Sequence, residues 1–288
     1  MKDLVTVGVD GSPESRAAAA WGAQEASLRQ VPLRLVHVIA WPISPAVPRL
    51  GRETADQWAD EALAGALEDV RRRHPHLEIT ARRLSGRPAA ALAVEAADVG
   101  LLVLGSRGLG SLVGFLVGAV GTATLVATDT PVVLVRVADE PEHGDPTPYG
   151  EIIVGVDHHD APDKVLAFAF EEAARRGCAL RAIHGWKLPP AYRLPFIDSY
   201  DERAAGRRAT QMLDERLLPW RHKFPSVSVD RMTFMGSAGG QLVQAAAGAD
   251  LVVVGRHLRR SPLGAHLGPV AHAVLHHATA PVAVIAHD

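Results

Sequence analysis

The sequence is written twice, and that internal repeat constrains the fold more than any other feature of the chain. Val7-Gly8-Val9-Asp10 returns as Val154-Gly155-Val156-Asp157, and His37 follows the first aspartate at the same spacing as His184 follows the second. Gly86 returns as Gly236, Leu102-Val103-Leu104-Gly105 as Val252-Val253-Val254-Gly255, and Thr130-Pro131-Val132 as Ala280-Pro281-Val282. A proline-broken stretch, 42–49, has its counterpart at 189–195. Between the copies lies ADEPEHGDPTPYG, whose proline, glycine and acidic residues mark a linker. A chain of 288 residues has room for two domains, each with its own core. The expected division is a first domain at 1–140, a linker at 141–150 and a second domain at 151–288.

Within the first copy, short β-branched and apolar runs alternate with helical stretches. Strands are expected at 4–9, 33–39, 78–84, 101–104 and 132–137, because such runs ended by glycine or turn residues read as buried parallel strands. Helices are expected at 14–29, 54–73 and 88–97, with a fourth beginning near Gly118. The first is alanine-rich, with Trp21 and Leu28 on its apolar face. Arg71-Arg72-Arg73 reads as the solvated end of the second. The order is βαβαβαβαβ, an α/β arrangement.

The segment GSRGLGSLVGFLVGAVGT, from Gly105 to Thr122, sits at the carboxyl end of the fourth strand, where an open α/β sheet binds its ligands. Glycine backbone can approach a ligand closely and leave N–H groups for phosphate oxygens, so a phosphate cradle is the functional reading. A membrane span competes with it, since 108–128 carries no charge and Gly110, Gly114 and Gly118 stand four apart. The repeat decides between them. The equivalent segment of the second copy contains Arg256, His257, Arg259, Arg260 and His266, which do not cross a bilayer cheaply.

Composition narrows the function. A net charge of −2 offers no electrostatic basis for nucleic-acid binding. The single cysteine, Cys178, excludes an internal disulfide and fits a reducing cytosol, and no signal peptide is visible, so a cytoplasmic location is expected. There is no G-x4-G-K-[ST] loop, no G-x-S-x-G elbow, no H-E-x-x-H and no paired cysteine, and the glycines follow the fourth strand instead of the first. No catalytic residue and no metal ligand is assigned. His272 and His276 have the i, i+4 spacing that can hold a metal, but no carboxylate or cysteine nearby completes a site before Asp288. His37 and His184, at strand ends, read as hydrogen-bonded core histidines.

The set Gly105-x2-Gly108-x9-Gly118, with Val-Gly-Val-Asp10, His37-Val38 and Thr130-Pro131-Val132 in order, resembles the universal stress protein family, in an arrangement similar to that of its actinobacterial tandem members. The resemblance implies two tandem Rossmann-like domains, each an open five-stranded parallel sheet with helices on both faces. It implies ATP, with Mg2+, lying over the strand ends. Asp10 and Val38 would hold the adenosine end, Gly105, Gly108 and Gly118 would line the phosphates, and Gly11 is counted with them among the nucleotide-binding residues. Ala119 stands where the family usually has serine or threonine. Losing one hydrogen bond to a charged group, worth about 1.5–3 kcal/mol, weakens binding without abolishing it.

In the second copy Asp157, Gly255 and Gly268 match, while Gly185, Leu258 and Pro269 depart from the pattern. The resemblance also implies that the last strands pair at exposed edges, within the chain or in a homodimer. The function expected is that of a nucleotide-dependent stress-response regulator, not an enzyme. The alternatives are a slow ATP hydrolase using Asp10 with a bound metal, and a ligand-free interaction module with degenerate sites.

Overall fold

The computed structural model describes residues 3–40, 49–106, 118–137, 150–157, 163–187, 202–258 and 267–287. The chain divides into two compact units, Met1–Glu142 and His143–His257 with Leu267–Asp288. In the first, the order is β1 (Val5–Gly8), α1 (Pro13–Arg29), β2 (Leu33–Ile39), α2 (Arg49–Arg73), β3 (Ile79–Ser85), α3 (Pro88–Ala96), β4 (Leu101–Gly105), α4 (Ala119–Ala127) and β5 (Val132–Val135). The strands lie side by side as β3-β2-β1-β4-β5, all parallel, with Val5 opposite both Leu33 and Leu101.

The chain winds outward from β1 to β3, then returns to start the other half at β4. Right-handed crossovers therefore put α1 and α2 on one face and α3 and α4 on the other. The helices pack in those pairs. The reversal leaves a crevice at the carboxyl ends of β1 and β4, the topological switch point.

The second unit repeats the plan: β6 (Glu151–Gly155), α5 (Asp163–Arg176), β7 (Ala179–Trp186), α6 (Glu202–Lys223), β8 (Val229–Met235), α7 (Ala238–Ala245), β9 (Leu251–His257), α8 (Pro269–His277) and β10 (Val282–His287). Its strands run in the order β8-β7-β6-β9-β10, again parallel. Both units are α/β layers with the core between sheet and helices. Leu33, Leu35, Leu101 and Leu102 are fully enclosed in the first, and Ile152, Ile153, Leu180 and Ile183 in the second.

Two local readings differ from the structure. Helix α2 begins at Arg49 instead of residue 54, while 42–48 of the proline-broken stretch, like 189–195 of its counterpart, lie outside the described residues. On α1 the buried face is not marked by Trp21 and Leu28, which are half-buried, but by Ala18, Gly22, Ala23, Glu25 and Ala26. Small residues bring this helix close to the sheet: a Cβ at Gly22 would stand 2.4 Å from Val7 Cγ2. Where α1 has Ala23, α5 has Phe170, whose ring packs against Trp220 and Phe224 of α6 and its exit.

A buried ion pair recurs at one place in both units. Glu25 pairs with Arg29 on α1, and Glu172 pairs with Arg175 and Arg176 on α5. Both carboxylates are enclosed, Glu25 at 1% and Glu172 at 0% exposure. Following α5, Cys178 is buried, and desolvation together with the nearby Asp250 charge pushes its thiol up. Desolvation likewise holds the Asp250 carboxyl above the usual range, against the backbone N–H groups of Gly150 and Glu151 and the charge of Arg176. Among the described residues no helix is long and apolar enough to cross a membrane. The described part of the uncharged window contains α4, of nine residues.

Candidate functional site

A cavity of about 350 Å3 opens at the carboxyl ends of β1, β2 and β4, within the size range of small-molecule sites. Asp10, Val38, Gly105, Gly118 and Ala119 all line it. Gly11 is not on its wall, and Gly108 lies outside the described residues.

The polar end of the wall is built by the turn from β1 into α1. Gly11 has φ +81°, a left-handed conformation that glycine adopts without strain. That turn lets Asp10 Oδ1 accept from both the backbone N–H and the hydroxyl of Ser12. Ser12 is the N-cap of α1, accepting from Ser15 N–H at 3.2 Å, and Ser15 Oγ donates back to the Ser12 carbonyl at 2.9 Å. Asp10 is thus a turn residue that holds the capping Ser12 at the start of α1, and it is also part of the cavity wall.

His37 is fixed beside it. Its Nδ1–H donates to the Val9 carbonyl at 2.9 Å, which leaves Nε2 as the acceptor of the neutral ring. His184 makes the same bond to the Val156 carbonyl at 2.8 Å, so the interaction belongs to the repeated frame.

The glycines do different work. A Cβ at Gly105 would lie 2.6 Å from the Glu14 carbonyl carbon and 2.8 Å from Ser15 N, so this position is kept small by the first turn of α1. Gly118 is the N-cap of α4, with φ −56°, no side-chain cap and nothing within 4 Å of its would-be Cβ. The first N–H groups of a helix have no acceptor within it. The start of α4 forms part of the cavity wall through Gly118, exposed Ala119, Val120 and Gly121. Thr122, half-buried one turn further on, is not on the wall. Val36, Val38, Pro88, Leu92 and Leu104 form an apolar side.

Ser12, Glu14, Pro88 and Leu92 were not picked out as site residues in the sequence. Ser12 and Pro88 carry a signal as helix starts. Leu92 and Glu14 carry none, since the packing of α3 and α1 brings them in.

The second unit places Asp157 after β6, Gly255 in β9 and Gly268 at the N-cap of α8. Its details differ from the first. A Cβ at Gly185, the position of Val38, would meet Ala238 N and Gly236 O at 2.8 Å each, so the turn after β8 closes on the strand there. At Gly255 the obstructing group is His287 Nε2, 2.7 Å away. Pro269 occupies the first position of α8 and supplies no N–H. Arg256, buried to 2% exposure, stands where the first unit has Ser106. The rings of His257 and His287 meet edge to face at 4.3 Å, and those of His272 and His276 stack at 4.2 Å. No group of three or more metal-binding side chains occurs among the described residues.

Comparison with known proteins gives a consistent assignment. The sequence pattern of the Universal stress protein family matches twice, at residues 1–136 and 148–286. A universal stress protein of Mycobacterium tuberculosis is 34% identical over 287 residues, covering 97% of this chain and 96% of the relative. One from Mycolicibacterium smegmatis is 33% identical over 297 residues, covering 98% and 96%. Among solved structures, a universal stress protein from Archaeoglobus fulgidus superposes with a TM-score of 0.74 at 16% identity, covering 100% of each chain, which is a likeness of fold.

Proposed function

The chain belongs to the universal stress protein family, and from that membership we propose that its first unit binds ATP and acts as a nucleotide-dependent stress-response regulator. The observation that carries the reading is the two-sided cavity. An apolar wall of Val38, Leu92 and Leu104 faces a base, and the uncapped start of α4 at Gly118 offers backbone N–H groups and the positive end of a helix to phosphates. Asp10, oriented by Ser12, presents a carboxylate that accepts hydroxyl hydrogen bonds from a ribose.

Ala119 leaves the phosphates to the backbone alone, so the affinity is lower than with a hydroxyl at that position. Mg2+, when bound with the nucleotide, neutralises phosphate charge. The carboxylate of Asp10 is an oxygen donor of the type such a hard cation takes. The role proposed is binding without rapid turnover.

For the second unit a ligand-free reading is favoured by Gly185, against which the chain's own backbone closes, and by Pro269. The homodimer that family resemblance implies is part of the same proposal, read out by sedimentation. The decisive test is calorimetric titration of the purified chain, stripped of bound nucleotide, with MgATP. One ATP per chain is expected, lost in Gly118→Trp, which fills the open space at the start of α4. Two per chain would refute the closure of the second unit, and none would refute nucleotide binding.

A further inference from the structure

The charged residues on the described wall of the first-unit cavity are Asp10 and Glu14, both acidic, and no lysine or arginine accompanies them. This is unusual company for a polyphosphate. Asp10 is engaged by Ser12. Glu14, half-buried in the first turn of α1, makes no hydrogen bond or ion pair among the described residues. Its backbone packs against the position of Gly105, so it borders the start of the glycine segment.

Two helix N-termini therefore flank one cavity with opposite electrostatics. The positive end of α1 is already compensated by Glu14 and the Asp10–Ser12 cap. That of α4 has no acidic residue in its first turn and no capping side chain. An anion is drawn to α4 and repelled from α1. A ligand with several uncompensated negative charges feels the Glu14 repulsion once for each charge, whereas one whose charge is partly cancelled by a divalent cation feels correspondingly less of it. In sequence, the second copy has Ala161 at the corresponding position, so the feature belongs to the first copy alone.

We infer that Glu14 is a charge filter: the cavity admits a nucleoside triphosphate as its divalent-cation complex and discriminates against the bare polyanion. The inference rests on the nucleotide reading above and adds the charge state of the ligand and the residue that selects it.

The test is calorimetric titration of the full chain with ATP in excess Mg2+ and, separately, with ATP in EDTA, at low salt, for the native protein and for Glu14→Gln. Glutamine keeps the length and helix propensity of the side chain, and a thermal melt of each protein checks that the fold is retained. In the native protein the bare form is expected to bind about tenfold more weakly than the Mg2+ complex, the size of one charge acting on several across a wet cleft. In Glu14→Gln that gap is expected to narrow to about two- or threefold, because the bare form binds more tightly. Raising the salt should narrow the native gap as well, since the cavity is open to solvent.

An unchanged gap in the variant overturns the proposal. So does a gap that narrows only because the Mg2+ complex binds more weakly, which makes Glu14 a cation ligand. If the native protein binds neither form, the nucleotide reading fails and the filter with it.

Discussion

At the scale of single residues, the clearest consequence of burial is at Asp250. Desolvation raises its carboxyl above the ordinary value, so the folded state binds that proton more tightly than the unfolded chain does. The contribution to stability is then fully present below the ordinary carboxylate range and is lost as pH rises through the raised value. At neutral pH the charged group is a net cost. Asp250→Asn keeps an oxygen for the N–H groups of Gly150 and Glu151 and removes the charge. It is expected to melt higher than the native protein at pH 7, with the difference closing by about pH 3, where the carboxyl is protonated in both states. Melting curves across that range check it, and a variant that melts lower at pH 7 would sink the argument. The same residue scale shows what a sequence hides. Gly105 and Gly185 are both glycines at strand ends, yet one is kept small by the backbone of α1 and the other by the turn after β8. Neither neighbour is adjacent in sequence.

At the scale of elements, the recurrent feature is a buried glutamate tied to arginines on the helix that follows each unit's first strand. An enclosed carboxylate is costly to desolvate, and removing one partner leaves the other charged and stranded. Glu172→Ala is therefore expected to destabilise the protein by about 3–5 kcal/mol, measured by denaturant unfolding. Replacing Glu172 and Arg176 together by apolar residues of similar size should recover most of that loss, within about 1–2 kcal/mol of the native value. Failure of the paired replacement to recover would show that the network, and not the lone charge, sets the effect. The Glu25–Arg29 pair also explains why the buried face of α1 was not legible although its bounds were. Its alanines and Arg29 were visible, but periodicity assigns a glutamate to solvent, and Trp21 and Leu28 outweigh alanine in any apolar count. The strands were legible because continuous apolar runs have few alternatives in a sheet covered on both faces.

At the scale of the molecule, the repeat was enough to assign a doubled α/β plan, because the same turn chemistry and apolar runs recur in the same order. Of the first-unit cavity, Asp10, Val38, Gly105, Gly118 and Ala119 on its wall were named through the family resemblance that the repeated motifs carry, while Gly11 is not on the wall. Glu14, Leu92, Leu104 and Pro88 were not, since they meet only when helices from three crossovers converge. The divergence of the second unit was legible as substitutions, but not as the closure of a turn upon Gly185. Between near-copies of this kind, the one asymmetry an experimenter can exploit directly is Cys178. It is buried, it is the chain's single thiol, and it belongs to the second unit. A thiol reagent therefore acts as a clock on one half of the molecule. Modification is expected to proceed at the rate at which the second unit opens, at least a hundredfold slower than in denaturant for a domain of ordinary stability. Nucleotide that binds only the first unit should leave that rate unchanged when the halves open independently, and slow it when they open as one. Counting modified chains against time thus turns a lone buried sulfur into a gauge of cooperativity across a duplicated protein.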